Sequence, residues 1–247
     1  MKDSLLLVEI DSEIILMEQF SDVARPAASV TKVFYALELA RRVVEGEMDD
    51  ELVEISAGDA TKVGGSNVLK DILQNGGRLN LKVSVLIRLM LKYSCNGSTA
   101  VLFEKYFNDT KKLMKVAKET WEMKDIELVN KKGDWLNLMS IRDVFVLYKE
   151  LYGKNPKKNY GPLGDLIVDS LRESRNIYYL FDQLEVKVLG SKTGTSLEKD
   201  GYIVNDSGVM EVRDKRYFCG AMVKRKNISQ AVKRIRSYGD MYKISCA

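Results

Sequence analysis

The sequence has no histidine and only three cysteines. The first absence excludes a Ser-His-Asp triad, Cys-His catalysis and every histidine-ligated metal site. Cys95, Cys219 and Cys246 are odd in number and lack C-x-x-C spacing, so zinc and a disulfide framework are disfavoured. We therefore expect free buried thiols, with no metal or cofactor. A serine nucleophile in this chain needs another base, and lysine is the candidate if its ammonium can lose a proton.

Long apolar runs are also missing. The longest, "VSVLIRLML", is interrupted by Arg88 and is too short to span a bilayer. The start, "MKDSLLLVEIDSE", has neither the length nor the small-residue cleavage site of a signal peptide. These features predict a cytoplasmic protein without a membrane partner, with a leader removed before residue 1 as the alternative.

Charge gives no sign of nucleic-acid binding. The formal net charge is +4, and the densest basic patch is the loop that holds Lys154, Lys157 and Lys158. No basic stripe with interleaved aromatic residues accompanies it. We expect a small-molecule substrate and no nucleic acid, while the sequence leaves the oligomeric state open.

The order of patterns predicts an α+β fold. Two apolar runs of strand length form a hairpin at the start, and a helix with an apolar stripe begins near Ser29. Mostly helical patterns follow, including a helix over "LKVSVLIRLMLKYS" that we expect to be buried all round. Three strands and a closing helix end the chain. We predict an antiparallel sheet of about five strands, flanked by helices, with an inserted all-α lobe. The predicted domain is single and covers 1–247, with a sheet part at 1–48 and 184–247 and a helical lobe at 49–183.

Three short motifs carry candidate chemistry. Ser29 and Lys32 form S-x-x-K at the start of an amphipathic helix, where positions three apart share a face. The same pattern also occurs at Ser196–Lys199, which follows a strand end and runs into a turn. Ser94-Cys95-Asn96 is S-x-N at the end of an apolar helix, and Lys192-Thr193-Gly194 is K-T-G at the end of a strand.

Each motif alone has a structural alternative. Ser29 is of a type common at helix N-caps, and Lys32 fits a solvated side chain. Ser94 and Asn96 fit a helix C-terminus, and the K-T-G residues fit a strand end with a turn glycine. Their joint occurrence, in the order S-x-x-K, S-x-N, K-T-G, favours a serine acyltransferase site.

At these residues the chain resembles the penicillin-recognising serine enzymes, and most closely the class A β-lactamases. The similarity extends from "ARPAASVTK" through the stretch into "SCN" to "GSKTGT" and "VNDSGV", and covers about residues 4 to 240. The resemblance implies a β-lactamase-like fold and the following roles. Ser29 is the acylated nucleophile, Lys32 its base, and Ser94 a proton relay to the leaving nitrogen. Asn96 binds the substrate amide and orients Lys32, while Lys192, Thr193 and Thr195 bind the substrate carboxylate, with Gly194 as a further substrate-binding residue of the same motif. The backbone N–H groups of Ser29 and Thr195 form the oxyanion hole.

The chain departs from the family pattern in three places. Cys95 replaces the usual aspartate of the middle motif, and we expect it to be a poor acceptor of backbone hydrogen bonds. The N-terminal helix of the family has no counterpart. The glutamate of the omega loop, in E-x-x-L-N, is also missing: Leu136-Asn137 would align it with Gly133, and most of the loop is absent. Asp134 is the nearby carboxylate and the candidate deacylation base, with a turn residue as the alternative.

The resemblance therefore implies a serine hydrolase that acylates on β-lactam or related amide or ester bonds and deacylates slowly. A β-lactam-recognising sensor or binding module without turnover is one alternative. A DD-peptidase or esterase-like enzyme is another.

Overall fold

The chain folds into short helices and an antiparallel sheet. The computed structural model describes residues 2–131, 134–154, 159–174, 179–182 and 185–246, with backbone alone for 129–131 and 134–136. The strands are β1 (Ser4–Glu9), β2 (Ile14–Gln19), β3 (Arg25–Pro26), β4 (Leu52–Ser56), β5 (Arg78–Lys82), β6 (Glu127–Lys131), β7 (Asp134–Met139), β8 (Lys187–Glu198), β9 (Gly201–Val212) and β10 (Lys215–Arg225). The helices are α1 (Lys32–Val44), α2 (Ala57–Thr61), α3 (Val68–Ile72), α4 (Val83–Lys92), α5 (Asn96–Tyr106), α6 (Thr110–Thr120), α7 (Ile141–Tyr152), α8 (Gly161–Arg172) and α9 (Ile228–Cys246), and a 3-10 turn, Ala28–Thr31, precedes α1.

Five strands form the main sheet in the order β2-β1-β10-β9-β8, and neighbouring strands are antiparallel. The predicted N-terminal hairpin thus joins the C-terminal strands, as Leu7 opposite Cys219 illustrates. The α+β class and the five-stranded sheet are confirmed. Long stretches of β9 and β10 are buried without alternation, as expected for strands that are covered on both faces.

Helices cover the two faces of this sheet. On one face α9 packs with Tyr238 and Tyr242 against the inward side chains of β9 and β10. On the other face lies α7, whose Ile141 touches Gly220 and whose Tyr148 packs on the ring of Phe218. The middle of the sheet is therefore a core region, and polar side chains there need partners.

The chain divides into two compact units. The sheet unit comprises 1–31, 110–157 and 177–247, and the helical unit comprises 32–109 and 158–176. In the helical unit, Tyr35 of α1 packs against the rings of Phe103 and Phe107. The units differ from the predicted parts, since α1 belongs to the helical unit and 110–157 to the sheet unit. The single domain over 1–247 stays a prediction.

Two expectations about the middle of the chain were wrong. The stretch 49–183 is not wholly α, because β4 pairs with β5 and β6 pairs with β7. The burial of β4 and β5 alternates with a period of two, which a search for helical spacing misses. Helix α4 is buried on one face only, since the Val85 and Arg88 side chains are exposed.

Within the described ranges, every helix is too short or too polar to cross a membrane.

The contact between α9 and the segment at Leu180 requires a glycine. A Cβ at Gly239 would lie 2.0 Å from the Leu180 carbonyl oxygen, far inside van der Waals contact. Gly239→Ala should therefore lower the free energy of unfolding by about 2 kcal/mol, even though alanine has a higher helix propensity than glycine. The control is Asp240→Ala, at an exposed position of the same helix turn, which should stay within about 0.5 kcal/mol of the parent. Urea unfolding measures both, and an equally stable Gly239→Ala would contradict the close approach.

Candidate active site

Ser29 lies in the 3-10 turn of the sheet unit, one turn before α1. The preceding residues are held as a short strand: β3 pairs with β7, and the Ala27 N–H donates to the Asn137 carbonyl at 2.7 Å. Ala28 has a left-handed backbone, with φ of 47°, and the neighbouring Ala27 and Val30 are buried. Ser29 itself is half-buried. The α-helix thus starts at Lys32 and not at Ser29, so the serine side chain sits on a turn that its neighbours fix.

The K-T-G strand, β8, runs against this turn inside the same unit. A Cβ at Gly194 would lie 2.8 Å from both the Ala27 carbonyl oxygen and the Ser29 nitrogen, so only glycine permits the approach. Lys192 is fully buried, and its Nζ donates to the Thr193 carbonyl at 2.9 Å. Thr193 is nearly buried and Thr195 is exposed. The sheet unit therefore brings Ser29 together with the K-T-G residues.

Two residues of β9 that sequence reasoning did not single out support this arrangement. Asn205 lies opposite Gly194, and its Nδ2 donates to the Pro26 carbonyl at 2.8 Å. Asp206 is fully buried, and its Oδ2 accepts from the Leu180 N–H at 2.8 Å. Burial raises the pKa of Asp206 to about 8, and the nearby Lys192 opposes that rise. The sequence could have indicated these two residues, because the polar triplet Asn-Asp-Ser interrupts the apolar pattern of β9.

Lys32 is the first residue of α1 and belongs to the helical unit, where its side chain is buried. Its Nζ donates to the Ser94 carbonyl at 2.7 Å, to the Ser94 Oγ at 3.2 Å and to the Asn96 Oδ1 at 2.7 Å. All of these acceptors are neutral. Burial lowers the pKa of Lys32 from 10.5 to about 7, and the nearby Cys95 opposes that fall. A large fraction of the amine is therefore uncharged near neutral pH.

The short link between α4 and α5 presents these acceptors. Ser94 has a left-handed backbone, with φ of 53°, which is strained for a residue other than glycine. This conformation turns both its carbonyl oxygen and its hydroxyl toward Lys32. The Asn96 Nδ2 donates to the Gly64 carbonyl at 2.8 Å, which leaves Oδ1 for the lysine. The helical unit thus brings Lys32, Ser94 and Asn96 together, while their roles in a reaction stay predictions.

Cys95 and Asn67 hold this link from behind. The Cys95 Sγ caps α5 by accepting from the Ser98 N–H at 3.5 Å, and it donates to the Asn67 Oδ1 at 3.6 Å. Asn67 donates in turn to the Ala60 and Val63 carbonyls. The cysteine makes long, weak contacts, as expected, and Asn67 binds the surrounding backbone. Sequence reasoning missed Asn67, although an asparagine before the apolar start of α3 is a typical N-cap.

The described residues do not test the predicted deacylation base. The structure describes only the backbone of Asp134, and Gly133 lies outside the described residues, so the candidate deacylation base stays a prediction. In the part of the chain that the structure describes, no group of histidine, cysteine and carboxylate side chains could hold a metal ion.

The sequence was then compared with known proteins. Residues 10–242 match the model of the beta-lactamase enzyme family. The chain belongs to this family. None of the curated proteins in the comparison matches the sequence.

Solved structures of β-lactamases and of the protein PBP-A share the fold. A class A β-lactamase from Bacteroides cellulosilyticus is 18% identical, with a TM-score of 0.82 over 98% of this chain and 91% of its own. The extended-spectrum β-lactamase TLA-3 is 18% identical, with a TM-score of 0.83 over 100% and 94% of the two chains. The protein PBP-A is 19% identical, with a TM-score of 0.78 over 98% and 89%. The predicted relation to this superfamily, closest to class A, is confirmed.

The buried Lys32 amine should make stability depend on pH. In the unfolded protein this amine keeps its proton up to about pH 10, whereas in the folded protein it releases the proton near pH 7. The folded state binds fewer protons in that window, so its stability rises with pH through it. Lys32→Met should be more stable than the parent at pH 7, and the difference should shrink by roughly 2 kcal/mol by pH 9. Urea unfolding across this range measures it.

The matched control is Lys111→Met, which removes an exposed lysine from α6. Its effect should vary little with pH, since no buried amine is lost. If the effect of Lys32→Met were equally independent of pH, Lys32 would not be desolvated in the folded protein.

Proposed function

We propose that this member of the beta-lactamase family is a serine hydrolase that is acylated at Ser29. Its substrates are β-lactams, or related amides and esters that carry a nearby carboxylate. The observation that carries the proposal is the buried Lys32 amine, held by neutral acceptors and partly unprotonated near pH 7. A serine in a chain without histidine needs such a base.

In the proposed reaction the Ser29 Oγ attacks the substrate carbonyl while its proton passes to the Lys32 Nζ. The two residues are three positions apart, on a turn that continues directly into α1. Collapse of the tetrahedral intermediate breaks the carbon–nitrogen bond, and the leaving nitrogen takes a proton through the Ser94 hydroxyl. The contact between Lys32 Nζ and Ser94 Oγ at 3.2 Å supports this relay. The product of this stage is an ester on Ser29.

Backbone N–H groups of Ser29 and Thr195 are the proposed oxyanion hole. Support comes from Gly194, whose missing Cβ allows β8 to approach the Ser29 nitrogen. One such donor is worth on the order of 3 kcal/mol in the transition state. We assign Lys192, Thr193 and Thr195 to the substrate carboxylate, and Asn96 to its amide side chain.

We expect the acyl-enzyme to be hydrolysed slowly. Acylation uses Ser29, Lys32 and Ser94, whereas deacylation needs a water positioned by a further base. The sequence offers Asp134 in place of the family's glutamate. The absence of that glutamate also favours a second candidate function, a sensor or binding module that is acylated without turnover.

A DD-peptidase or esterase-like activity is the third candidate, although the cytoplasmic location that we propose argues against cell-wall peptide as the substrate.

Intact mass spectrometry during incubation with a fluorescent penicillin and a chromogenic cephalosporin tests the proposal. We expect a covalent adduct that persists and only slow release of colour. Ser29→Ala should lose the adduct. Ser196→Ala, which alters the other S-x-x-K serine, should retain it. Fast colour without an adduct would disprove slow deacylation, and the absence of both colour and adduct would disprove the proposed function.

A further inference from the structure

Strand β8 contains one extra residue just before the K-T-G motif. The residues on its two sides, 188 and 190, pair with consecutive residues of β9, so Leu189 stands outside the register. Such a β-bulge changes which side chains lie on each face of a strand, because side chains alternate between the faces with a period of two. The bulge therefore decides on which face of the sheet Lys192 lies.

The bulged register places Lys192 on the same face of β8 as Gly194, two residues further on. Gly194 lies against the turn that holds Ser29, within the same unit. A slip of one residue would move Lys192 to the opposite face, where Thr193 and Asp206 now lie across from each other. Because we assign Lys192 to the substrate carboxylate, the register of β8 matters for substrate binding.

Two tyrosines of α7 reach this part of β8. Tyr148 and Tyr152 are one helical turn apart, and their rings are stacked with the centroids 6.0 Å apart. The Tyr152 hydroxyl donates to the Leu189 carbonyl at 3.4 Å, at the bulge itself. The Tyr148 hydroxyl donates to the carbonyl of Ser207, the partner of Lys192 in β9, at 3.0 Å. The two hydroxyls therefore contact the bulge and the residue pair that includes the K-T-G lysine.

The Tyr148 hydroxyl joins β8 and β9 at Lys192. Its proton is used on the Ser207 carbonyl, since a carbonyl oxygen only accepts. A backbone hydrogen bond from Lys192 reaches the same hydroxyl. All three residues are fully buried. A phenylalanine would pack equally well on the ring of Phe218, and a buried hydroxyl costs free energy unless it is hydrogen-bonded, so packing alone does not account for a tyrosine here.

The two strands also lie unusually close beside the bulge. A Cβ at Gly208 would lie 2.6 Å from the Gly190 carbonyl oxygen, so a side chain there would push β8 away from β9. We infer that Tyr148 is a positioning residue for Lys192, and that Tyr152 assists it: their hydroxyls hold β8 in the bulged register that keeps the lysine on the face of the nucleophile turn. This inference rests on the proposed function in so far as Lys192 binds the substrate.

The test uses Tyr148→Phe, which removes one hydroxyl and keeps the ring. The matched control is Tyr242→Phe, because the Tyr242 hydroxyl is equally buried and donates to the Gly220 carbonyl of β10 from the other face of the sheet. Acylation rates over a range of concentrations of the fluorescent penicillin separate binding from the chemical step. In Tyr148→Phe we expect the half-saturating concentration to rise about tenfold, while the limiting rate stays within about twofold of the parent. Tyr242→Phe should leave both unchanged.

Amide hydrogen exchange, followed by NMR, reports on the strand without any reaction. Tyr148→Phe should speed exchange of the hydrogen-bonded amides of 190–194 about tenfold relative to those of β10, and Tyr242→Phe should not. Unchanged exchange in β8 would overturn the inference. So would an unchanged half-saturating concentration in a variant that is acylated, or an equal rise in Tyr242→Phe.

The two measurements separate the inference from the proposed function. Faster exchange in β8 of Tyr148→Phe, in a protein whose parent is not acylated, would support the positioning of Lys192 and disprove the proposed function. Acylation of the parent with unchanged exchange in the variant would do the reverse. Should Tyr148→Phe fail to fold, Tyr152→Phe takes its place, and it must show faster exchange in β8 or the inference fails.

Discussion

A buried lysine whose hydrogen-bond partners, within the described residues, are neutral oxygens is the constraint on which the rest of the site depends. An ammonium that is removed from water is costly unless a carboxylate pairs with it, so such a lysine tends to lose its proton. The fold keeps Lys32 buried by supplying carbonyl, hydroxyl and amide oxygens in place of a carboxylate. Ser94, which provides two of these oxygens, has a left-handed backbone conformation. Backbone strain at Ser94 and desolvation of Lys32 thus occur at two residues in direct contact, which is typical of functional sites.

The S-x-x-K motif spans the point at which the chain passes from one unit to the other, between Thr31 and Lys32. Each unit contains part of the candidate site, and in each unit a glycine allows two segments to lie close together. In the sheet unit Gly194 lets β8 reach the backbone of Ser29. In the helical unit Gly97 lets Asn67 reach Cys95. At both positions a Cβ would collide with the neighbouring segment, so the absence of a side chain is what permits the contact.

The sequence predicted those parts of the fold whose pattern is local. The hairpin and C-terminal strands carry apolar runs of strand length, and α7 and α9 carry helical periodicity, so their types were evident. The motif residues were also evident, because residue type and order alone define them. The role of Asn67 was not, since it depends on Ala60, Val63 and Cys95, which only the fold brings together. The β4–β5 pair was missed because two five-residue strands give a weak alternating signal beside longer helices.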